Sequence, residues 1–222
     1  MTDSAALLLL ADSRFPTGAH AHSAGVEASH ARGDIRSTAD LAAFIDGRLR
    51  TTAPTEAAFA AAACAGLTSW AELDAELAAR TVSPKLCSVS RTLGRQLLRP
   101  AERAWPSSSY RILRGLHPEG PMQPIALGVV AAAASLTPRG AALCSLHHLV
   151  GTVTTAAVRL LGLDPFEVHA LAARLAPELD RLADAAAGHS GDHAADLPAT
   201  SSLLADILAE HHATWEVRLF AS

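Results

Sequence analysis

The sequence predicts an all-α protein folded as a single globular bundle of about ten helices, and three observations carry that expectation. Alanine fills 49 of the 222 positions, while aromatic residues make up 4%. Alanine is the strongest helix former, and the β-branched and aromatic residues that favour strands are scarce. Apolar residues recur at three- and four-residue spacing in segment after segment, without a clear strand between them. Helix caps and breakers punctuate those segments at regular intervals. A GC-rich genome inflates Ala and Arg alike (17 of the 18 basic residues are arginine), so the weight rests on the periodicity rather than the composition.

The elements follow in order. Ala5 to Ala11 reads as a short helix, stopped by Phe15-Pro16-Thr17-Gly18. Ser23 to Arg32 reads as the next, with Ser23 as N-cap and Gly33 at its end. Ser37 is an N-cap with Asp40 in the first turn, and Leu41, Phe44, Ile45 and Leu49 share one face. A helix runs from near Thr55 to Cys64, and Ser69 with Glu72 forms a capping box for the following one. Lys85 to Leu98 reads as a basic helix that Pro100 ends. Residues 115–124 read as loop, Ile125 to Leu136 as an apolar helix, and Pro138 opens the long central one. Asp164-Pro165-Phe166-Glu167 is a strong helix start. After a polar loop at 188–198, the last helix places Leu203, Leu204, Ile207, Leu208, His211 and Trp215 on one side. No fixed-period repeat occurs and no linker separates two cores, so residues 1–222 read as one domain.

Composition excludes several classes. Half the residues are hydrophobic, which excludes disorder over most of the chain. A net charge of −4 argues against a general nucleic-acid binder. Cys64, Cys87 and Cys144 are odd in number and far apart, so they read as reduced thiols in the cytosol. Met1-Thr2-Asp3-Ser4 carries no basic run, and Leu7 to Leu10 is too short for a signal core. The apolar stretch Ala141 to Leu163 contains His147, His148 and Arg159, so it reads as a core helix rather than a membrane span.

Catalytic motifs are missing. There is no GxxxxGK[ST], GxGxxG or HExxH. Ala21-His22-Ser23-Ala24-Gly25 approaches GxSxG but lacks the strand that a nucleophile elbow needs. His20, His22 and Glu27 form the one candidate metal set, and the alternative reading is a helical metal-binding enzyme using them. No cofactor is expected. Charge is uneven: residues 85–114 hold seven basic side chains and one acid, with Arg91, Arg95 and Arg99 spaced by four along a helix. That stripe reads either as a solvated face or as a docking face for an acidic partner. The final residues concentrate Trp215, Arg218, Leu219 and Phe220, a composition typical of interface hot spots, so 216–222 reads as a docking tail, the alternative being that Phe220 folds back onto its own domain and closes the core.

Four blocks together resemble the UreF family of urease accessory proteins. Leu8 to Glu27 is similar to the family's N-terminal pattern, through Phe15-Pro16-Thr17-Gly18 and Ser23-Ala24-Gly25-Val26-Glu27. Ser90 to Leu98 resembles its Arg-x-x-Gly-Arg-x-Leu-Leu helix, and Pro124 to Val130 with Gly128 forms the third block. Arg218-Leu219-Phe220-Ala221-Ser222 is similar to its ending. Many family members carry aromatic residues where this chain has His20 and His22. The resemblance implies an all-α, non-catalytic cytoplasmic protein that tends to dimerise. It implies binding to a UreD-type (UreH) accessory protein and a UreG-type GTPase, and service in nickel insertion into the urease apoprotein. Ser23, Gly25, Glu27, Arg91, Arg95, Trp215, Arg218, Leu219, Phe220 and Ser222 are then the expected partner-binding residues, with no metal ligand, nucleic acid or membrane.

Overall fold

The computed structural model describes residues 5–221. Met1–Ser4, with the N-terminal reading above, and Ser222 lie outside the described residues. The described residues contain eleven α-helices and no strand. They are α1 (Ala5–Ala11), α2 (Val26–Arg32), α3 (Thr38–Arg50), α4 (Thr52–Ala65), α5 (Trp70–Arg80) and α6 (Pro84–Ala104). There follow α7 (Ser109–Leu116), α8 (Gln123–Ala133), α9 (Pro138–Leu161), α10 (Pro165–Gly188) and α11 (Leu203–Ala213). Single 3-10 turns occur at Ala19–Ala21 and Ala194–Asp196.

Two helices organise the bundle, α4 because it is apolar on nearly all sides and α9 because buried small and apolar residues recur along its length. α4 buries an unbroken run from Ala57 to Cys64, and α9 buries Ala141, Cys144, Leu146, Val150, Val153 and Ala157. One side of each faces a cluster built from α1, α5, α6, α7 and α8, around Leu73, Leu97, Tyr110 and Ile125. The other side faces a cluster built from α2, α3 and α10, around Val26, Ile45, Val168 and Leu182. A helix that is hydrophobic all round belongs in a core. α9 is long and apolar enough to cross a membrane by length and composition, but more than half of its most apolar stretch is buried in the bundle.

Small residues set the closeness of the central seam. A Cβ added at Gly128 of α8 would lie 2.3 Å from the Ala60 carbonyl oxygen and 2.7 Å from the Ala63 Cβ. Only glycine lets the two backbones approach this far. Gly94 of α6 plays the same part against the loop before α8, 2.1 Å from the Pro121 carbonyl oxygen.

Two of the four expected side-chain N-caps form, at Ser37 and Asp164 but not at Ser23 or Ser69, and Thr137 adds another ahead of Pro138. The Ser37, Thr137 and Asp164 side chains accept the N–H groups of Asp40, Gly140 and Phe166, satisfying amides that the first helical turn leaves without partners. Ser69 stands at the N-cap of α5, but its side chain makes no cap bond. Pro100 does not end α6, which runs on to Ala104. A proline inside a helix costs about 3 kcal/mol; burial of Leu97, Leu98 and Ala101 on one continuous face holds the helix together across it. α7 overlaps the basic segment 85–114, where the sequence marks no separate helix. α11 corrects the expectation more deeply. It buries Asp206, Leu208 and His212, and leaves Leu203, Leu204 and Ile207 exposed.

Candidate partner-binding site

The two ends of the chain meet at one carboxylate. The turn before α2 places Ala24 and Gly25 consecutively in the left-handed region, with φ of 52° and 91°. Glycine favours that region, and alanine tolerates it only where surrounding contacts fix the turn. Arg48 of α3 supplies one such contact by donating from Nη1 to the Ala24 carbonyl oxygen at 3.1 Å. α2 therefore starts at Val26 rather than Ser23, and the Glu27 N–H donates to the buried Ser23 Oγ at 3.4 Å. This geometry turns Glu27 inward, where it is 7% exposed.

Glu27 holds the C-terminal segment. Its Oε1 accepts the Leu219 N–H at 2.8 Å, and its Oε2 accepts the Phe220 N–H at 3.1 Å. Oε2 also lies 2.9 Å from Nε2 of the buried His212 on α11. An ionised carboxylate only accepts, so Nε2 carries the proton. Charge-assisted bonds of this kind are roughly twice as strong as neutral ones. The His212 ring packs 4.8 Å from Trp215, whose Nε1 donates to His211 Nδ1. Phe220 is 6% exposed and joins the cluster around α2, α3 and α10. The Arg159 guanidinium of α9 lies 4.9 Å from the centre of its ring and donates to the His20 carbonyl oxygen, an attraction between cation and ring face. The Ala221 N–H donates to the Ala21 carbonyl oxygen at 2.8 Å.

The tail is thus two-sided. Phe220 closes the core of its own domain, which corrects the expectation of a tail standing apart from the core. Trp215 is half-buried, while Arg218 and Leu219 face solvent, Leu219 at 74% exposure. Ser23, Gly25 and Glu27 sit behind this surface and support it. Ser222 lies outside the described residues.

Arg91 requires a correction. Its i, i+4 spacing suggested a surface stripe, but the structure buries it. Nη1 donates to Asp74 Oδ2 at 3.0 Å and to the Gly120 carbonyl oxygen at 2.9 Å, and Asp74 Oδ1 accepts the Met122 N–H. This pair fixes α5, α6 and the loop before α8, so Arg91 is structural. Arg95 is exposed and donates to the Glu119 carbonyl oxygen.

The catalytic alternative loses its ligand set. Glu27 is committed to two amides and an imidazole. His22 is buried while His20 is exposed, and burial, with Lys85 and His20 nearby, holds the His22 imidazolium below its usual range. Among the described residues no three His, Cys, Asp or Glu side chains gather as a metal site. Cys64, Cys87 and Cys144 are free thiols, and burial pushes Cys64 up to about 11 and Cys144 up to about 12. The two buried thiols, Cys64 and Cys144, are inert at neutral pH. A cavity of about 230 Å³ lies beneath α11, with Arg48, Glu56 and Asp206 among its walls. Burial raises the Glu56 carboxyl.

Sequence reasoning missed His212 and Arg159 as members of this junction. Their signal was indirect: a histidine inside an otherwise apolar helix, and an arginine near the end of the central core helix.

Comparison with known sequences bears on the whole chain. The model of the UreF family matches residues 35–176. A urease accessory protein UreF from Mycobacterium sp. strain JLS is 42% identical over 222 residues, covering all of both chains. One from Mycobacterium marinum is 40% identical over the same span, again covering both fully. One from Mycobacterium tuberculosis H37Rv is 38% identical over 214 residues, covering 96% of this chain and 95% of its own. The Glu27 junction lies outside the segment matched by the family model but inside the span shared with these full-length relatives. The all-helical fold, the matched core and the identity along the whole length agree: the chain belongs to the UreF family of urease accessory proteins.

Proposed function

We propose that the chain is a non-catalytic chaperone of urease maturation. It scaffolds a UreG-type GTPase with a UreD-type partner on the urease apoprotein, acts in the cytoplasm, and works as a homodimer. Family membership supports the general role in urease maturation. The observation that carries the finer reading is the convergence of the two terminal blocks on Glu27. That carboxylate anchors the tail backbone to the body and holds Arg218 and Leu219 outward on a fixed base. A preorganised hot spot loses less entropy on binding than a mobile one, and arginine with an exposed aliphatic neighbour suits a protein interface. Three free thiols fit a reducing compartment.

The test is capture of a UreD-type and a UreG-type protein from the same organism. Arg218→Ala with Leu219→Ala should keep wild-type circular dichroism and melting, because neither side chain is buried, and should lose capture of at least one partner. Full capture and full urease activation by the double variant would refute the tail as a docking element.

A further inference from the structure

The outward face of α6 and the loop 16–22 enclose an open cleft of about 930 Å³ that borders the tail at Ala221. Lys85, Arg99 and Arg103 line it from α6, and His20 and His22 from the loop. Glu102 also lines it, but its carboxylate is taken by Arg114. Glu210, at the α6 N-terminus, accepts from Ser83 Oγ and from the Lys85 backbone N–H.

Eight of the 17 arginines hold a carboxylate within 4.0 Å: Arg14, Arg32, Arg50, Arg80, Arg91, Arg114, Arg139 and Arg181. The chain carries 22 acidic residues. Even so, among the described residues none lies within ion-pair distance of the Lys85, Arg99 or Arg103 side chain. A solvated face needs no enclosure, whereas cations gathered in a concavity focus their field on what enters it.

Resting on the scaffold reading above, we propose that this cleft receives an extended acidic segment of a protein partner in the urease-maturation assembly. The spacing defines the segment. Arg99 and Arg103 lie one helical turn apart, about 6 Å along α6. An extended chain places alternate side chains about 6.6 Å apart on one face, so acids at every second residue match the two guanidiniums. Lys85 to Arg103 spans about 27 Å, the length of roughly eight extended residues. The loop that forms the opposite wall is fixed by Gly18, whose φ is 81° and where a Cβ would meet Gln96 Oε1 at 2.0 Å.

The experiment uses the full chain and a fluorescent ten-residue peptide of alternating Glu and Ser. Anisotropy titrations at low salt compare wild type, Arg99→Glu with Arg103→Glu, and Arg174→Glu on the exposed part of α10 as a charge control. The proposal expects wild type and Arg174→Glu to bind alike and the double variant to bind at least about tenfold more weakly, with circular dichroism unchanged. A peptide of the same composition with its glutamates in one block should bind more weakly than the alternating one. Equal binding by the double variant overturns the proposal. So does equal or tighter binding of single-stranded DNA of the same length, which would make the cleft a general polyanion site. A dimer that dissociates only in the double variant would make a second copy the occupant, and would overturn it too. Capture of the urease accessory proteins is scored in parallel. If wild type captures none, the scaffold reading fails; if wild type and the double variant capture them equally, the cleft assignment fails alone.

Discussion

The seam between α4 and α8 and the junction between α11 and the tail solve the same packing problem in opposite ways. At the seam, side chains are removed until two backbones touch: alanine after alanine on α4 meets Gly128 on α8. Nothing polar needs a partner there beyond the helices' own bonds. At the junction the helix is turned so that Asp206 and His212 point in and Leu203, Leu204 and Ile207 point out. Polar groups inside must be satisfied one by one, and Glu27 satisfies three of them. Dense apolar contact spreads its free energy over many atoms. A carboxylate hub concentrates it in one residue, whose loss is felt by everything it holds.

Substitutions can break this contrast, beginning with the largest expected effect. Gly128→Val forces apart backbones that leave no room for a Cβ, and should lower stability by about 3 kcal/mol, read as a fall in the urea midpoint with an unchanged slope. A variant as stable as wild type would show that the seam yields.

Glu27→Ala acts on the other region. It removes the acceptor for two amides and His212, and the tail should detach rather than stay buried without partners. The cost is about 2 kcal/mol, close to that of exposing Phe220. Helix content should hold, while limited proteolysis removes the tail far faster than in wild type. Global unfolding instead would mean that the junction is part of the cooperative core.

His148 sharpens the comparison through pH. It lies on α9 with Nε2 2.9 Å from the Leu10 carbonyl oxygen, and burial holds it down to about 4. The unfolded imidazole titrates near 6.5, so between these values the unfolded chain binds more protons. The contribution is complete above pH 6.5 and is lost as pH falls toward 4. Since the residue is only half-buried, the loss should be roughly 1–2 kcal/mol. His148→Gln, which keeps a donor for Leu10, should flatten that part of the profile between pH 7.5 and 4.5. An identical slope in both proteins would assign the acid sensitivity elsewhere.

The smallest effect is expected on the outer face of α11. Ile207→Ser should change stability by less than about 0.5 kcal/mol, in a thermal melt of the isolated chain. A large loss would show that the exposed face is covered even in the free protein.

Much of this architecture is legible in the sequence, and the failures share a cause. Pro138 and the spacing from Leu143 to Leu161 announce α9, and Asp164-Pro165 announces α10. Those signals are local. The period of α11 groups Leu203, Leu204 and Ile207 rightly but includes Leu208, which turns inward, and a helical period does not say which way a face points. The same gap placed Arg91 on the surface, because its partner Asp74 sits on another helix. Glu27, Leu219 and Phe220 were each marked by their motifs. Their meeting was not legible, since no local pattern links residues almost two hundred positions apart.

That separation has a consequence for how the protein comes into being. A chain is made from its N-terminus, and its early segments begin to fold before the end exists. The Leu219 amide lies 192 residues beyond the carboxylate that receives it, so the clasp can shut only after residues 219 and 220 leave the ribosome. Until then Glu27 waits without its ligands, and the surface bearing Arg218 and Leu219 does not exist. Assembly through that surface would be open only to chains that extend past Phe220, and a product truncated before Leu219 would be refused.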